Sequence, residues 1–510
     1  MRRSASYLAT VLALVAVSAL GLPRYPQVEH GPPPALAPET PSPSPLRERI
    51  GVNVVHANDP DEVARVAGWA RDYHRWYWYE PERGRLTWSS GRQRIDQFYS
   101  HLSRLGVKLL VSVGMVPSWA SSNGKTSGLP YPRGRSGTAL DDYVAHGEYL
   151  AQLAARYGAT HHREGISSAD KLTGLGWVQA IEGWNEPNQD WTDPRFPAAH
   201  FARMLEVDYD GAGTRGAAAS SFVGVKSGDP TILVVLPGLA GPDIAYLEAT
   251  LANRTRGDRL PFDVLSFHWY AKGDSRRGGR SPEAAGLVDA VRKVRQWRDS
   301  FAPGVPIWLT ELGWDTNSRV SRSHSELYAP EPTAGAYLVR SVFLSLANGV
   351  DKLFLFSYRD HDSESPGLYA TAGLVENSSV DEGLDARKKA GWYYLATISR
   401  LLGSMVMASV DRQGEGNPAV YLYRLARPDG SGGAVVGWVR NAHAGRDDGS
   451  RIPSYEVSVP NAWKADAISL TADSTTGRRT SLSLADPGTT SARVEVALTE
   501  VPVVVEYWVR

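Results

Sequence analysis

Gly176-Trp177-Val178-Gln179-Ala180-Ile181-Glu182-Gly183-Trp184 runs directly into Asn185-Glu186-Pro187-Asn188, and this passage decides how the chain is read. Glycines bound a run of apolar and β-branched residues, which reads as a strand. Pro187 has no amide hydrogen to donate to a neighbouring strand, so pairing is expected to stop near Glu186. The strand expected over Val178–Glu186 therefore delivers a carboxylic acid at its C-terminal end. Pro306-Ile307-Trp308-Leu309-Thr310-Glu311-Leu312-Gly313-Trp314 does the same with Glu311.

Outward from this stretch, the chain alternates short β-branched runs with amphipathic helical segments from Ile50 to about Leu402. The remaining candidate strands are Ile50–Val55, Asp72–Trp78, Val107–Val113, Ile232–Pro237, Val264–Tyr270, Ile307–Glu311 and Lys352–Tyr358. Helix-like segments at Arg92–Leu105, Leu140–Tyr157, Ala198–Gly211, Pro282–Phe301, Thr333–Ala347 and Lys388–Leu402 lie among them. This alternation predicts an α/β fold, a (β/α)8 TIM barrel over residues 48–402. A doubly wound open sheet is the alternative. Against it, Val54-Val55-His56-Ala57-Asn58 after the first strand has none of the glycines of a phosphate loop.

After Leu402 the texture changes to short alternating runs parted by Gly, Pro, Asp and Asn: Ala419–Leu425, Ala434–Arg440, Tyr455–Val459, Ala467–Thr471, Ser481–Leu484, Ala492–Leu498 and Val503–Trp508. That pattern predicts a C-terminal antiparallel β-sandwich over 403–510. It reads as a stabilising module packed on the barrel or as a sugar-binding module.

At 510 residues the chain exceeds the size at which one core keeps growing, in line with two domains. Lys+Arg and Asp+Glu balance at 55 each, which argues against a nucleic-acid partner. Arg2 and Arg3 precede an apolar stretch from Tyr7 to Leu22, the form of a signal peptide over 1–22; left uncleaved, it would be an N-terminal membrane anchor. With no cysteine in the chain, disulfides and lipoprotein attachment are excluded. Residues 23–47 form a proline-rich stretch expected to be an extended linker. These features predict a secreted or cell-surface protein.

Reactive groups of such a barrel sit at the C-terminal ends of its strands. Glu186 ends the fourth expected strand and Glu311 the seventh, which sets them across the barrel mouth. Two carboxylates facing one another suit glycosidic bond cleavage, where one protonates the leaving oxygen and the other attacks or activates water. A separation of about 5–5.5 Å implies retention, and about 6.5–9.5 Å inversion. Glu182 shares the parity of Glu186 but lies deeper, and reads as a buried structural carboxylate.

Trp184-Asn185-Glu186-Pro187-Asn188, Trp308-Leu309-Thr310-Glu311-Leu312-Gly313-Trp314, Phe267-His268-Trp269-Tyr270, Pro117-Ser118-Trp119-Ala120-Ser121 and Trp76-Tyr77-Trp78-Tyr79-Glu80-Pro81 together resemble clan A of the retaining glycoside hydrolases. The barrel-plus-sandwich layout most resembles glycoside hydrolase family 39 and its relatives. The resemblance implies Glu186 as acid/base and Glu311 as nucleophile. Asn185 would bind the sugar 2-hydroxyl, Tyr270 would donate its phenol to Glu311, and His268 and Trp119 would line the site. A cation near the nucleophile is also implied; Arg71 and Arg75 share a face, and Arg71, which lies deeper, is expected among the substrate-binding residues. Tyr358 stands where the clan commonly has a tryptophan under the reacting sugar. Trp191, Trp269 and Trp314 line subsites or pack in the core, and Asp360 could touch a distal sugar.

His161-His162 and Asp360-His361-Asp362 lack zinc or EF-hand spacing, so neither a metal nor a cofactor is expected. The partner is a carbohydrate, and the expected activity is O-glycosyl hydrolysis. Two rival readings use the same cleft: a transglycosylase, and a catalytically silent polysaccharide-binding surface protein.

Overall fold

The computed structural model describes residues 44–510 apart from 55–58, 89–94, 191–194, 212–221, 258, 274–277, 317–325, 364, 366, 378–385 and 441–448. The expected leader or anchor, most of the proline-rich stretch and Trp191 lie outside the described residues. Nine parallel strand segments line a curled sheet: β1 (Ile50–Val54), β2 (Trp69–Arg75), β3 (Lys108–Gly114), β4 (Ala180–Glu182), β5 (Leu233–Val234), β6 (Leu239–Ala240), β7 (Leu265–His268), β8 (Ile307–Glu311) and β9 (Lys352–Leu355). Their order is β5-β4-β3-β2-β1-β9-β8-β7-β6. The two ends of that series, β5 and β6, belong to one chain segment, and Val235 bridges in parallel to Val264 ahead of β7. The sheet thus closes on itself as an eight-stave barrel with an interrupted fifth stave.

Several expected strands differ in extent: Ile232–Pro237 is cut to Leu233–Val234 and Val264–Tyr270 to Leu265–His268, and three others bear on the site. β2 starts at Trp69 and ends at Arg75, because Trp76–Tyr79 turns as a helix. β4 stops at Glu182, so Glu186 sits on the turn beyond the strand rather than at its last pair. β9 ends at Leu355, before the cis Phe356–Ser357 peptide. At the N-terminal side, Leu46 is buried and its amide donates to the Met405 carbonyl at 2.8 Å, so packed structure begins ahead of residue 48.

The barrel interior is layered. Trp69, Leu110, Ala180, Trp308, Phe354 and the Val235–Val264 pair fill its lower part. Trp69 and Trp308 meet edge to face with centroids 5.2 Å apart. β1 must present glycine here: a Cβ on Gly51 would lie 2.3 Å from the Phe354 ring. One pleat higher the inward residues turn polar, with Asn53, Arg71, Ser112, Glu182 and Thr310 all buried. The floor is apolar and the mouth polar, which leaves the mouth available for chemistry.

The remaining strands are β10 (Val406–Glu415), β11 (Ala419–Ala426), β12 (Gly432–Arg440), β13 (Arg451–Ser458), β14 (Ala462–Thr471), β15 (Ser474–Ser481), β16 (Leu484–Ala485), β17 (Arg493–Thr499) and β18 (Val503–Val509). They build an antiparallel sheet β10-β11-β12-β18-β14-β15 facing a three-stranded sheet β13-β17-β16. The larger sheet is covered on both faces. Val435, Val439, Val420 and Leu422 face the small sheet. Tyr421, Tyr423, Val436 and Trp438, alternating with them, pack in the same core as the barrel helices. That double burial explains why β12, Gly-Gly-Ala-Val-Val-Gly-Trp-Val-Arg, is buried along its whole length. The seam also holds a buried ion pair of Arg340 with Glu283, and Glu283 accepts the Trp438 indole N–H at 2.9 Å. Arg440 reaches Ser281 at 2.9 Å.

Trp438 is fully buried in this seam, whereas Trp463 is 44% exposed. Trp438→Ala is expected to lower the unfolding free energy by about 3–5 kcal/mol. Trp463→Ala should change it by about 0.5 kcal/mol or less. Urea denaturation of the two variants reads the contrast, and equal losses would contradict this packing.

Candidate active site

Glu186 lies four positions beyond the last paired residue of β4, on a turn that its own backbone makes. Its φ is 44°, in the left-handed region that residues other than glycine seldom adopt. Two contacts hold that conformation. The Glu186 amide donates to the Gly238 carbonyl at 3.1 Å. Asn188 then fastens the turn to the fifth stave, donating to the Ala240 carbonyl at 3.2 Å and accepting from the Ala240 amide at 2.9 Å. The Asn-Glu-Pro-Asn motif therefore does more than carry an acid: its last residue fixes the turn that aims it.

Glu311 reaches the mouth by a different device. Along β8, Trp308 and Thr310 point into the barrel, so simple alternation would turn Glu311 toward the helices. The register with β7 shifts between Phe267↔Leu309 and His268↔Glu311, which adds one residue on β8. This irregularity turns Glu311 inward beside His268. The expectation of an inward Glu311 holds, but the pleat alone does not produce it.

His268 sits between the two acids. Its Nδ1 is 2.9 Å from Glu186 Oε1 and its Nε2 is 3.5 Å from Glu311 Oε1. Gly238 makes room for the ring, since a Cβ there would lie 2.2 Å from His268 Nε2. One oxygen of Glu186, one ring nitrogen of His268 and one oxygen of Glu311 all lie within 4.8 Å of one another. That distance places the two carboxylates on the short side of the ranges above.

Glu311 is surrounded by donors. Arg71 Nη1 donates to its Oε1 at 2.9 Å, the Tyr73 hydroxyl donates to the same oxygen, and the Tyr270 hydroxyl donates to Oε2 at 2.7 Å. Burial by itself pushes a carboxyl up. Here the charges of His268 and Arg71 and the two phenols outweigh it and hold Glu311 below the ordinary glutamate range. The phenols of Tyr73 and Tyr270 are pushed well above the usual tyrosine value, first by burial and also by the charge of Glu311, so both remain donors.

Arg71 has no exposed surface. Besides Glu311 it donates to Asn53 at 2.8 Å, to Tyr73 at 2.7 Å, to Asn185 Oδ1 at 2.7 Å and to Ser112 at 3.2 Å, and it pairs with Glu182. Glu182 is fully buried, as its depth in the strand implied. Of Arg71 and Arg75, Arg71 is the one that contacts Glu311. It braces Glu311 and Asn185 from beneath, whereas the expectation had it binding substrate. With the Asn185 oxygen committed to Arg71, the amide nitrogen is the end left for a ligand.

A cavity of about 370 Å3 opens over these groups, lined by Tyr73, Arg75, Ser112, Met115, Asn185, Glu186, Tyr270, Glu311, Phe356, His361 and Tyr369 among others. Two expected lining residues are elsewhere. Tyr358 is buried with its phenol against Asp59, because the chain turns after β9 and presents Phe356 to the cavity instead. Trp119 is half-buried, packs on Trp76 with centroids 5.5 Å apart and donates to the Glu80 carbonyl at 3.1 Å. Trp314 is also a core residue, donating to the Arg280 carbonyl at 2.9 Å. Asp360 is buried against Lys389 at 2.6 Å and bonds the Gly373 amide at 2.8 Å, so it braces a loop and leaves the cavity to its neighbour His361.

Sequence reasoning missed Tyr73, Phe356 and Tyr369. Tyr73 was within reach of it: the residue stands between Arg71 and Arg75 at the same parity. Among the described residues, Glu186, His268 and Glu311 form the one grouping whose donor atoms lie close enough for a metal ion. Both oxygens of Glu311 are already taken by donors, one of them a guanidinium, so the arrangement suits a carboxylate held ionised by hydrogen bonds better than a metal ligand.

Removing the cation tests this arrangement. Arg71→Met leaves Glu182 and Glu311 buried without it, and should destabilise the fold by about 3–5 kcal/mol in chemical denaturation at neutral pH. A variant as stable as the parent would show that Arg71 does not carry this network.

No family model and no curated protein matches the chain. Solved structures do. A glucosidase from Croceicoccus marinus superposes with a TM-score of 0.60 at 13% identity, over 92% of this chain and 98% of its own. The GH51 α-L-arabinofuranosidase of Thermotoga petrophila RKU-1 gives 0.58 at 14% identity over 92% and 98%. Xyn30A, a glycoside hydrolase family 30 subfamily 8 xylanase from Clostridium acetobutylicum, gives 0.54 at 14% identity over 92% and 97%. The chain therefore has the fold of these glycoside hydrolases, a TIM barrel with a C-terminal antiparallel sheet domain.

Proposed function

We propose that the chain is a retaining O-glycosyl hydrolase that works by double displacement, with Glu311 as nucleophile and Glu186 as acid/base. The observation that carries this reading is the pair itself: two glutamates at the barrel mouth with oxygens within 4.8 Å, one of them held below the ordinary glutamate range. That spacing is short of the roughly 6.5–9.5 Å of an inverting pair and fits a carboxylate that attacks the anomeric carbon directly.

In the first step Glu311 forms a bond to the anomeric carbon while Glu186 gives its proton to the departing oxygen. In the second, Glu186 takes a proton from water, the water oxygen displaces Glu311, and the configuration returns to the original. Asn185 offers its amide N–H to a sugar hydroxyl beside the reacting carbon, and Tyr270 and Tyr73 stabilise Glu311 as it leaves. An acceptor sugar in place of water would give transglycosylation with the same residues. Within clan A, the layout resembles family 39. The family 30 and family 51 structures share it over 97% and 98% of their lengths, so layout groups these families without separating them. The basic, apolar N-terminus supports action outside the cytoplasm.

The named relatives are a glucosidase, a xylanase and an arabinofuranosidase, which sets the first aryl glycosides to assay. Glu311→Ala should abolish turnover of an activated aryl glycoside, and azide should restore it with an inverted glycosyl azide as product. Full activity in both Glu311→Ala and Glu186→Ala would rule the mechanism out. Glycan binding without any turnover by the parent would favour the silent binding protein.

The pH profile gives a second check. Glu311 must be ionised to attack, so activity is lost as pH falls through its lowered pKa. Tyr73→Phe removes one donor to the ionised form, worth about 1.5–3 kcal/mol. At about 1.4 kcal/mol per pH unit, the acid limb of kcat/KM should move up by roughly one to two units. An unmoved limb would show that this phenol does not hold Glu311 ionised.

A further inference from the structure

Arg75 is the second cation of β2 at the mouth, and its charge is not used by the catalytic network. It lies on the inward face two pleats above Arg71 and lines the cavity that holds Glu311. Its guanidinium stacks on the Trp78 ring at 4.4 Å, which fixes the plane of its donors. Among the described residues it makes no ion pair and no hydrogen bond. Asp72, the neighbouring acid, is on the opposite face of the strand, where the Tyr99 hydroxyl donates to it at 2.7 Å.

The cleft also has a direction. A second cavity, of about 580 Å3, adjoins the first and shares Glu186, Tyr270 and Tyr369 with it, but not Glu311. The sugar attacked by Glu311 must therefore occupy the first cavity. The leaving group, which takes its proton from Glu186, occupies the second. Lys272 lines that second cavity with its ammonium 5.7 Å from the Tyr369 ring, and it too makes no ion pair among the described residues. Cations that form no ion pair among the described residues thus stand on both sides of the bond to be cleaved.

From this geometry we infer that the first cavity takes a sugar carrying an anionic substituent, a hexuronate carboxylate or a sulfate ester, which the Arg75 guanidinium binds. The inference rests on the glycosidase reading. A guanidinium matches both oxoanions in plane and spacing, and hydrogen bonds between charged groups are about twice as strong as neutral ones. A neutral sugar would leave the guanidinium half-buried without an ion-pair partner in the cavity. Lys272 extends the same preference to the leaving-group side.

The test uses the full chain and aryl glycosides in matched sets that differ only at C6, as hydroxymethyl, carboxylate or sulfate ester, in gluco, galacto and manno forms of both anomers. The parent should prefer one acidic member over its neutral match by about 10- to 100-fold in kcat/KM. Arg75→Met should bring that ratio close to one. The better of the carboxylate and sulfate members identifies the anion. Turnover that favours the neutral sugar, or a preference unchanged in Arg75→Met, overturns this inference and leaves the glycosidase reading standing. Thermal-shift titration with the free hexuronic acids and sugar sulfates separates the opposite case: stabilisation of the parent but not of Arg75→Met, without turnover of any glycoside, supports the anion site and sinks the glycosidase reading. Neither turnover nor stabilisation by any acidic sugar overturns both.

Discussion

A guanidinium with no exposed surface holds the barrel mouth together. Arg71 reaches residues of four other staves: Asn53 on β1, Ser112 on β3, Glu182 and Asn185 on and after β4, and Glu311 on β8. A buried cation is tolerable only when its charge is matched and its donors are filled. Each guanidinium nitrogen here meets an oxygen, and two carboxylates oppose one positive charge. That excess of negative charge explains why phenols as well as the imidazole crowd around Glu311: hydrogen bonds must spread what Arg71 alone does not neutralise.

From this constraint the rest of the mouth follows. Small residues stand wherever the network needs room, as Gly238 does beneath the His268 ring. The irregularity in β8 brings Glu311 within reach of Arg71, and the left-handed turn at Glu186 brings the second acid to His268. Neither feature would persist on a loose scaffold, because each is a local conformation that only surrounding contacts sustain. The β-sandwich contributes to that rigidity from outside the barrel, where it meets Ser281, Glu283 and Arg340. Its large sheet is packed into the barrel's own core through Trp438, Tyr421 and Tyr423, which favours the stabilising role over a separate binding module.

Much of this was legible in the sequence, for reasons that can be named. The barrel came from alternation of strand and helix patterns, and both acids came from apolar runs that end at a proline or glycine. Most sandwich strands showed as alternating runs, but the two edge strands of the large sheet, β10 and β15, did not: both have little burial and no clear apolar period, and the run expected over Ser481–Leu484 falls on the break between β15 and β16. Illegible features were those set by tertiary contact. Parity placed Arg71 and Arg75 on one face but said nothing of which would be buried and paired. Tyr358 looked like a cavity residue by position, and the turn after β9 moved that place to Phe356. Trp119 and Trp314 carried the right ring for a sugar, yet their indole N–H groups found backbone carbonyls instead.

The two acids are held in unequal ways, and the inequality fits the roles proposed for them. Glu311 accepts from Arg71, Tyr73 and Tyr270, all donors that favour its charged form, and it is almost wholly buried. A nucleophile gains from such fixation, since it must be ionised and aimed before the sugar arrives. Glu186 is more exposed and touches the network through His268. A group that must give up a proton and take one back in each cycle needs lighter contacts and access to water, and Glu186 lines both cavities. Through His268 the two acids remain in electrical contact. Forming the covalent bond to Glu311 would remove a negative charge on one side of that imidazole and favour ionisation of the acid on the other, the change of role from acid to base that the second step requires.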